Sequence, residues 1–353
     1  MLLGELEKRG LINPPTFLVS NTQYLCRMGS MAYGVASSDS DQDIYGVVIP
    51  PRDYIFPPNY IEGFDNRDLT FHHWEKHHLN DPTANAGKGC NYDFSIHNIV
   101  DYFHLCVKNN PNIIDSLFVN RESIIHITPS WEIIRDNRKE FLHKGIAHKL
   151  KSYAYSQLSK ARNSIGFLQD ILNFEKENGI PQSTTYEQAV SGIYQVNKTD
   201  PHDYGTYGCH RDYIKLWEEG MKKTTRFENQ KIHGQDNKFL YHIYRLADQA
   251  EYILTHHDLD LQERGRVEKM KAIRKGEVPF NDIVRQFGEA ESRISNLYNT
   301  SELRLHPDVR KIRALLVNCL EHHYGSLEKY LKTADAAVIA VNEIKEILRK
   351  YGQ

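Results

Sequence analysis

Two periods of apolar residues divide this chain. Through the first 120 residues, short apolar runs stop at turn-forming residues. Tyr24-Leu25-Cys26-Arg27-Met28 is half apolar and ends at Gly29-Ser30, which predicts a strand. Asp43-Ile44-Tyr45-Gly46-Val47-Val48-Ile49 is β-branched and stops at Pro50-Pro51, which predicts a second. Cys90-Asn91-Tyr92-Asp93-Phe94-Ser95 is a candidate third. From Ile96 the spacing becomes Ile96, Ile99, Val100, Phe103 and Val107, the period of an amphipathic helix. Asn109-Asn110-Pro111 closes that helix and opens another, with Pro111 in its first turn.

Beyond residue 145 the helical period takes over. Leu150, Ala154, Leu158, Ala161, Ile165, Leu168 and Leu172 form one stripe, and Phe239, Ile243, Leu246, Ala247, Ala250 and Leu254 a second. Val309, Ile312, Leu315, Leu316 and Cys319 form a third, and Ala334 to Leu348 predicts a last helix. The stretch 179–235, rich in Gly, Thr, Tyr and charge, is expected to hold long loops. No internal repeat is present. The pattern predicts a small α/β (α+β) domain with a mixed sheet over 1–145, followed by an all-helical domain over 146–353.

Composition narrows this picture. A length of 353 residues suits two domains. No apolar run is long enough to span a membrane, and the acids in Met1-Leu2-Leu3-Gly4-Glu5-Leu6-Glu7 do not suit a signal peptide, so no membrane partner is expected. Cys26, Cys90, Cys106, Cys209 and Cys319 are scattered without a CxxC pair. That argues against a disulfide framework and for a reducing cytoplasm. A formal net charge of -2 gives no global attraction for nucleic acid, so any such partner needs a local basic patch.

The candidate chemistry lies in Met28-Gly29-Ser30-Met31-Ala32-Tyr33-Gly34 and Ser38-Asp39-Ser40-Asp41-Gln42-Asp43. Acids two apart on a strand share a face, so Asp41 and Asp43 project together about 6.6 Å apart along the strand. Carboxylate oxygens suit hard cations such as Mg²⁺, with Mn²⁺ a second option. Two ions about 3.5–4 Å apart can clamp the attacking and leaving oxygens of an in-line displacement at phosphorus. Gly29 permits a tight turn that brings backbone N–H groups to a polyphosphate, and Ser30 adds a hydroxyl donor. A solvated acidic turn would share the Asp-x-Asp spacing. The ordered series of strand, Gly-Ser, Gly-containing loop, Asp-x-Asp and strand separates the two readings.

That series resembles the DNA polymerase β superfamily of nucleotidyltransferases. Further matches are Ala32-Tyr33-Gly34, Gly46, Ile55-Phe56-Pro57, Tyr92-Asp93-Phe94-Ser95 and Asn110-Pro111-Asn112-Ile113-Ile114-Asp115-Ser116-Leu117-Phe118. Together they resemble the RNA-ligase-associated, RNA-repair nucleotidyltransferases of bacteria and large bacteriophages. The resemblance is strongest in the first 170 residues. It implies a polymerase β-like fold, an NTP substrate, an RNA acceptor, functional association with an RNA ligase, and a cytoplasmic setting (the host cytoplasm if phage-encoded). It also implies a third carboxylate, at Asp93, that binds metal with Asp41 and Asp43 and activates the attacking hydroxyl. The alternative for Asp93 is a cap on the helix expected near Ile96.

Four further features lie outside that series. Lys238, His242 and Arg245 fall at i, i+4 and i+7 on one helix face, either a site for a nucleotide triphosphate or the acceptor's phosphates or a solvated face, and the family pattern has a similar Lys-His-Arg helix. Arg264 to Lys275 carries six basic residues against Glu268, either a phosphate or RNA contact or a charged helix surface. His72-His73 and His77-His78 suggest no zinc site, because sequential residues on a strand point to opposite faces. Ala86-Gly87-Lys88-Gly89 lacks the spacing of a phosphate-binding loop and reads as flexible. The expected activity is transfer of a nucleoside monophosphate from an NTP to a hydroxyl, most simply an RNA 3′ end. The alternatives are nucleotidylation of a protein hydroxyl and a non-catalytic nucleotide- or RNA-binding module.

Overall fold

The computed structural model of the chain describes residues 1–36, 40–55, 71–197, 204–224, 226–325 and 344, without the side chains of 86, 192–197 and 204–210. Ser38-Asp39, Phe56-Pro57, the side chain of Cys209 and, apart from Ile344, the helix expected over 334–348 lie outside the described residues.

Five strands are β1 (Thr22–Arg27), β2 (Gln42–Val48), β3 (His73–Asp81), β4 (Cys90–Asn98) and β5 (Ile124–Ile127). They form one sheet in the order β3-β4-β2-β1-β5. β2 and β4 run parallel and the other neighbours antiparallel, so the sheet is mixed. β1 and β2 lie where the apolar runs put them. β3 and β5 were not expected: β3 is a His-rich edge whose buried residues are Leu79 and Asp81, and β5 is four half-buried residues long. The helix expected from Ile96 is also corrected. Ile96 is buried as a strand residue, paired with Gly46 and Trp74, and β4 continues to Asn98. The Asn98 side chain then caps the helix Ile99–Val107 by accepting the Val100 N–H, so Asp93 has no capping role.

Alternation along the strands gives the sheet two different faces. Leu25, Ile44, Val48, Phe94 and Ile96 join Leu3, Leu6, Ile12 and Leu18 in one apolar core. Arg9, at the end of helix Leu2–Lys8, donates to Asp81 at the end of β3 and ties that layer to the sheet edge. Facing the other way, Tyr24 donates its hydroxyl to the Ser116 carbonyl at 2.8 Å and stacks on Trp131. Gly46 has a packing reason to lack a side chain, since a Cβ there would lie 2.6 Å from Leu25 Cδ2 and 2.9 Å from the Tyr24 carbonyl oxygen.

The chain divides into two compact units. The first comprises Met1–Gly145, Asp258–Gln262 and the described residues from Leu303 onward; the second comprises Ile146–His257 and Glu263–Glu302. The segment 146–353, expected to be one helical domain, is thus shared between them. Helix Val309–Tyr324 falls in the first unit because it buries Ile312, Cys319 and Leu320 and packs on helices Pro129–Asp136 and Ile99–Val107.

In the second unit, the first stripe becomes helix Gly145–Glu177, with Leu150, Ala154, Leu158, Ala161 and Leu168 buried and Ile171 in place of Leu172. Among its described residues, the stretch 179–235 is largely helical, with helices Tyr186–Asn197, Tyr204–Lys223 and Phe227–His233 where long loops were expected. Its Tyr213, Trp217 and Phe227 complete a core with Leu168 and Ile171. Inside this core, Lys231 Nζ lies 2.9 Å from Glu175 Oε1. No helix of the described residues is long and apolar enough to cross a membrane.

Candidate active site

The site is assembled at the start of β2 by the turn that follows β1. The Met28 N–H donates to the Asp43 carbonyl at 2.7 Å and fixes this turn beside the strand. Gly29 then takes φ +59°, a left-handed conformation that favours glycine. A Cβ at Gly29 would lie 1.9 Å from Asp43 Oδ2 and 3.0 Å from its Cγ. The Asp43 carboxylate therefore sits directly against the Gly29 backbone, and no other residue leaves it there. The next residues anchor the turn: Tyr33 donates its hydroxyl to the buried Asp115 at 2.7 Å, and the Val35 N–H donates to the Ser30 carbonyl at 2.9 Å. Two of the motif residues, Tyr33 and Asp115, thus tie the turn to helix Pro111–Phe118.

Asp43 and Asp93 are Cα partners on the parallel strands β2 and β4. In-register neighbours on parallel strands point to the same face, so these two half-buried acids stand side by side. Asp41, exposed and just ahead of β2, shares that face by alternation and accepts a hydrogen bond from Asn91 Nδ2 at 3.2 Å. Tyr45 follows Asp43 on the same face. Burial and the nearby Asp43 push its phenol up to about 12, so it stays protonated as a donor.

Oxygen-only donors fit Mg²⁺ or Mn²⁺ in kind. Among the described residues, no group of three or more His, Cys, Asp or Glu is gathered so as to hold a metal ion. Asp43 and Asp93 are set side by side by strand register, with Asp41 ahead of them on the same face.

The paired histidines depart from expectation. Lys76 pairs with Phe94 and Leu79 with Tyr92, so His77 and His78 together oppose Asp93 across a β-bulge. Alternation fails there, and both residues reach the acid. The His78 N–H donates to Asp93 Oδ1 at 2.6 Å, with His77 Nδ1 at 3.8 Å and His78 Nδ1 at 3.9 Å from that oxygen. Nothing in a His-His pair signals a bulge, so only the register reveals this contact. The short helix Ala84–Gly87 takes up the first half of the loop expected over Ala86–Gly89.

In the second unit, Lys238, His242 and Arg245 lie on helix Asn237–His256, but they do not form a uniformly solvated stripe. Lys238 is exposed, His242 half-buried and Arg245 buried, with its Nη1 donating to Gln249 Oε1 at 3.0 Å. Burial, and then the cations Arg245, Lys238, Arg226 and Arg274, hold the His242 imidazole well below its ordinary value. Arg274 belongs to the basic stretch Arg264–Lys275, and Arg226, which comes from outside both helices, is the cation that the sequence reading missed. Within Arg264–Lys275, Arg266 is buried and hydrogen-bonded to Asp248, while Arg264 pairs with Glu268. That basic stretch is therefore divided between core and surface.

Residues 15–165, the stretch that holds the sheet, the Gly29-Ser30 turn and the aspartate row, match the model of the RNA repair pathway DNA polymerase β family. Among solved structures, a nucleotidyltransferase-like protein from Exiguobacterium sibiricum 255-15 aligns at 11% identity over 94% of this chain and 77% of its own. Its TM-score is 0.25. No curated protein matches the chain significantly.

Proposed function

We propose that this protein transfers a nucleoside monophosphate from an NTP to a hydroxyl, with an RNA 3′ end as acceptor. The observation that carries the reading is the Asp43–Asp93 register pair, with the Asp43 carboxylate laid against Gly29, where a Cβ would lie 1.9 Å from its Oδ2. The name of the matched family, an RNA repair pathway, supports the choice of acceptor.

In the reaction, the acceptor oxygen attacks the α-phosphorus and a new P–O bond forms. The bond from that phosphorus to the bridging oxygen breaks, and pyrophosphate leaves with the bonding pair. Asp93 accepts the hydroxyl proton. Asp41, Asp43 and Asp93 would hold Mg²⁺, which when bound offsets the negative charge of the phosphoryl oxygens. Ser30 donates its hydroxyl to a phosphate oxygen, and the Gly29 backbone admits the phosphate chain closely. In the second unit, Lys238, His242 and Arg245 are phosphate-binding residues, with the exposed Lys238 the mobile point charge.

The test is incubation with each α-³²P-NTP, Mg²⁺ or Mn²⁺, and a panel of intact tRNA, cleaved tRNA and protein acceptors. Label on RNA, lost in Asp43→Asn, is the expected result. Label on protein alone would move the acceptor to a Tyr, Ser or Thr hydroxyl. No label and no pyrophosphate from any NTP would leave a binding module and end the catalytic reading.

A further inference from the structure

The bulge in β3 lies opposite a single residue, and that residue is Asp93. A bulge withdraws one residue from the ladder, so its N–H needs another partner. Here the freed N–H belongs to His78, and it donates to Asp93 Oδ1 at 2.6 Å. An ionised acceptor makes this the stronger kind of hydrogen bond. His78 reaches the acid only by taking φ +53°, a left-handed conformation that favours glycine and that a histidine holds under strain. Such strain persists where surrounding contacts fix it. The neighbouring His77 supplies one, with Nδ1 at 3.8 Å from Asp93 Oδ1 and Nε2 at 3.5 Å from Glu75 Oε2. Glu75 is in turn met by Ser95 Oγ at 3.4 Å, so β4 braces the bulge from beneath.

We propose that the His77–His78 bulge is a positioning device for Asp93, in which the His78 main-chain N–H holds Oδ1 and leaves Oδ2 to meet the acceptor hydroxyl. The proposal rests on the reading of Asp93 as proton acceptor given above. A bulge that served only to protect the sheet edge from pairing would have no need to aim its N–H at one of the three acids. In this device the backbone does the positioning, and the His78 imidazole, 90% exposed, is dispensable.

Two substitutions separate these roles. His78→Gly keeps the N–H and relaxes the left-handed backbone; His78→Val keeps the N–H but disfavours that conformation. We expect His78→Gly to keep kcat within about twofold, and His78→Val to lower kcat on the order of tenfold or more with the NTP KM unchanged, since misplacing a catalytic group by about 1 Å can cost 100-fold. A second readout needs no turnover. In ¹⁵N-labelled protein, the position-78 amide proton should lie downfield, persist in His78→Gly, and move upfield in Asp93→Ala and in His78→Val.

Full kcat and an unmoved amide in His78→Val would overturn the proposal. So would a His78→Gly protein as slow as His78→Val, because the imidazole would then be the active part. If wild-type protein transferred no nucleotide to any acceptor, the proposed function would fall. The response of the amide to Asp93→Ala would still decide whether the bulge holds the carboxylate.

Discussion

Gly29→Ala tests the site at its tightest point. The substitution adds one carbon, yet that carbon would arrive 1.9 Å from Asp43 Oδ2, and real Cβ contacts essentially never fall below 3.0 Å. The carboxylate must therefore retreat by about 1.1 Å, or the turn must open by as much. A displacement near 1 Å at a reacting centre costs about 100-fold in rate. We expect kcat for nucleotidyl transfer to fall by roughly that factor. The backbone contributes separately: φ +59° is uncomfortable for alanine, at a cost of about 1–2 kcal/mol. In a domain of 150–250 residues that lowers the melting midpoint by about 2–8 °C. The two effects can be parted by Asp43→Ala in the Gly29→Ala background. Removing the carboxylate relieves the clash, so the double variant should melt above the single one while remaining inactive. Wild-type turnover and melting in Gly29→Ala would refute the reasoning, because they would mean that Asp43 does not depend on the glycine.

Other measurements probe the remaining parts. Asp93→Asn should lower turnover by about 10²–10⁴-fold while circular dichroism stays native, since the half-buried acid has no capping or core role. Lys231→Met leaves the buried Glu175 carboxylate without its ammonium partner and should cost about 3–5 kcal/mol in denaturant unfolding; Lys231→Met/Glu175→Gln should recover part of that loss. His242 is neutral in the folded chain well below its ordinary value. The unfolded chain therefore takes up the extra proton as pH falls below about 6.5, and stability contributed by this group is lost on the acid side. His242→Gln should flatten that decline in melting midpoints measured from pH 7 downwards.

The sequence marks the strands that hold the candidate site more clearly than the rest of the sheet, for a physical reason. Strands β1 and β2 bury one or both faces, so their apolar runs are dense and their ends are marked by Gly29-Ser30 and Pro50-Pro51. The Asp41-x-Asp43 spacing is legible where the same strand begins, because it depends on local alternation alone. Strand β3 has no such signal: it is an edge whose buried residues are Leu79 and Asp81, and its composition is that of a charged loop. β4 was cut short because Ile96 and Ile99 fit a helical period as well as a strand followed by a cap at Asn98. Helix Val309–Tyr324 shows the limit of periodicity most clearly. Its apolar positions predict a helix, but its membership of the first unit depends on the surface that buries Cys319 and Leu320, which no local period encodes. The same limit applies at the centre of the site. Asp93 can be proposed from its neighbours in sequence, but its pairing with Asp43 comes from a parallel register across 50 residues, and its hold by His78 from a one-residue slip in an edge strand. Residue type supplies the chemical groups, and long-range register decides which of them meet.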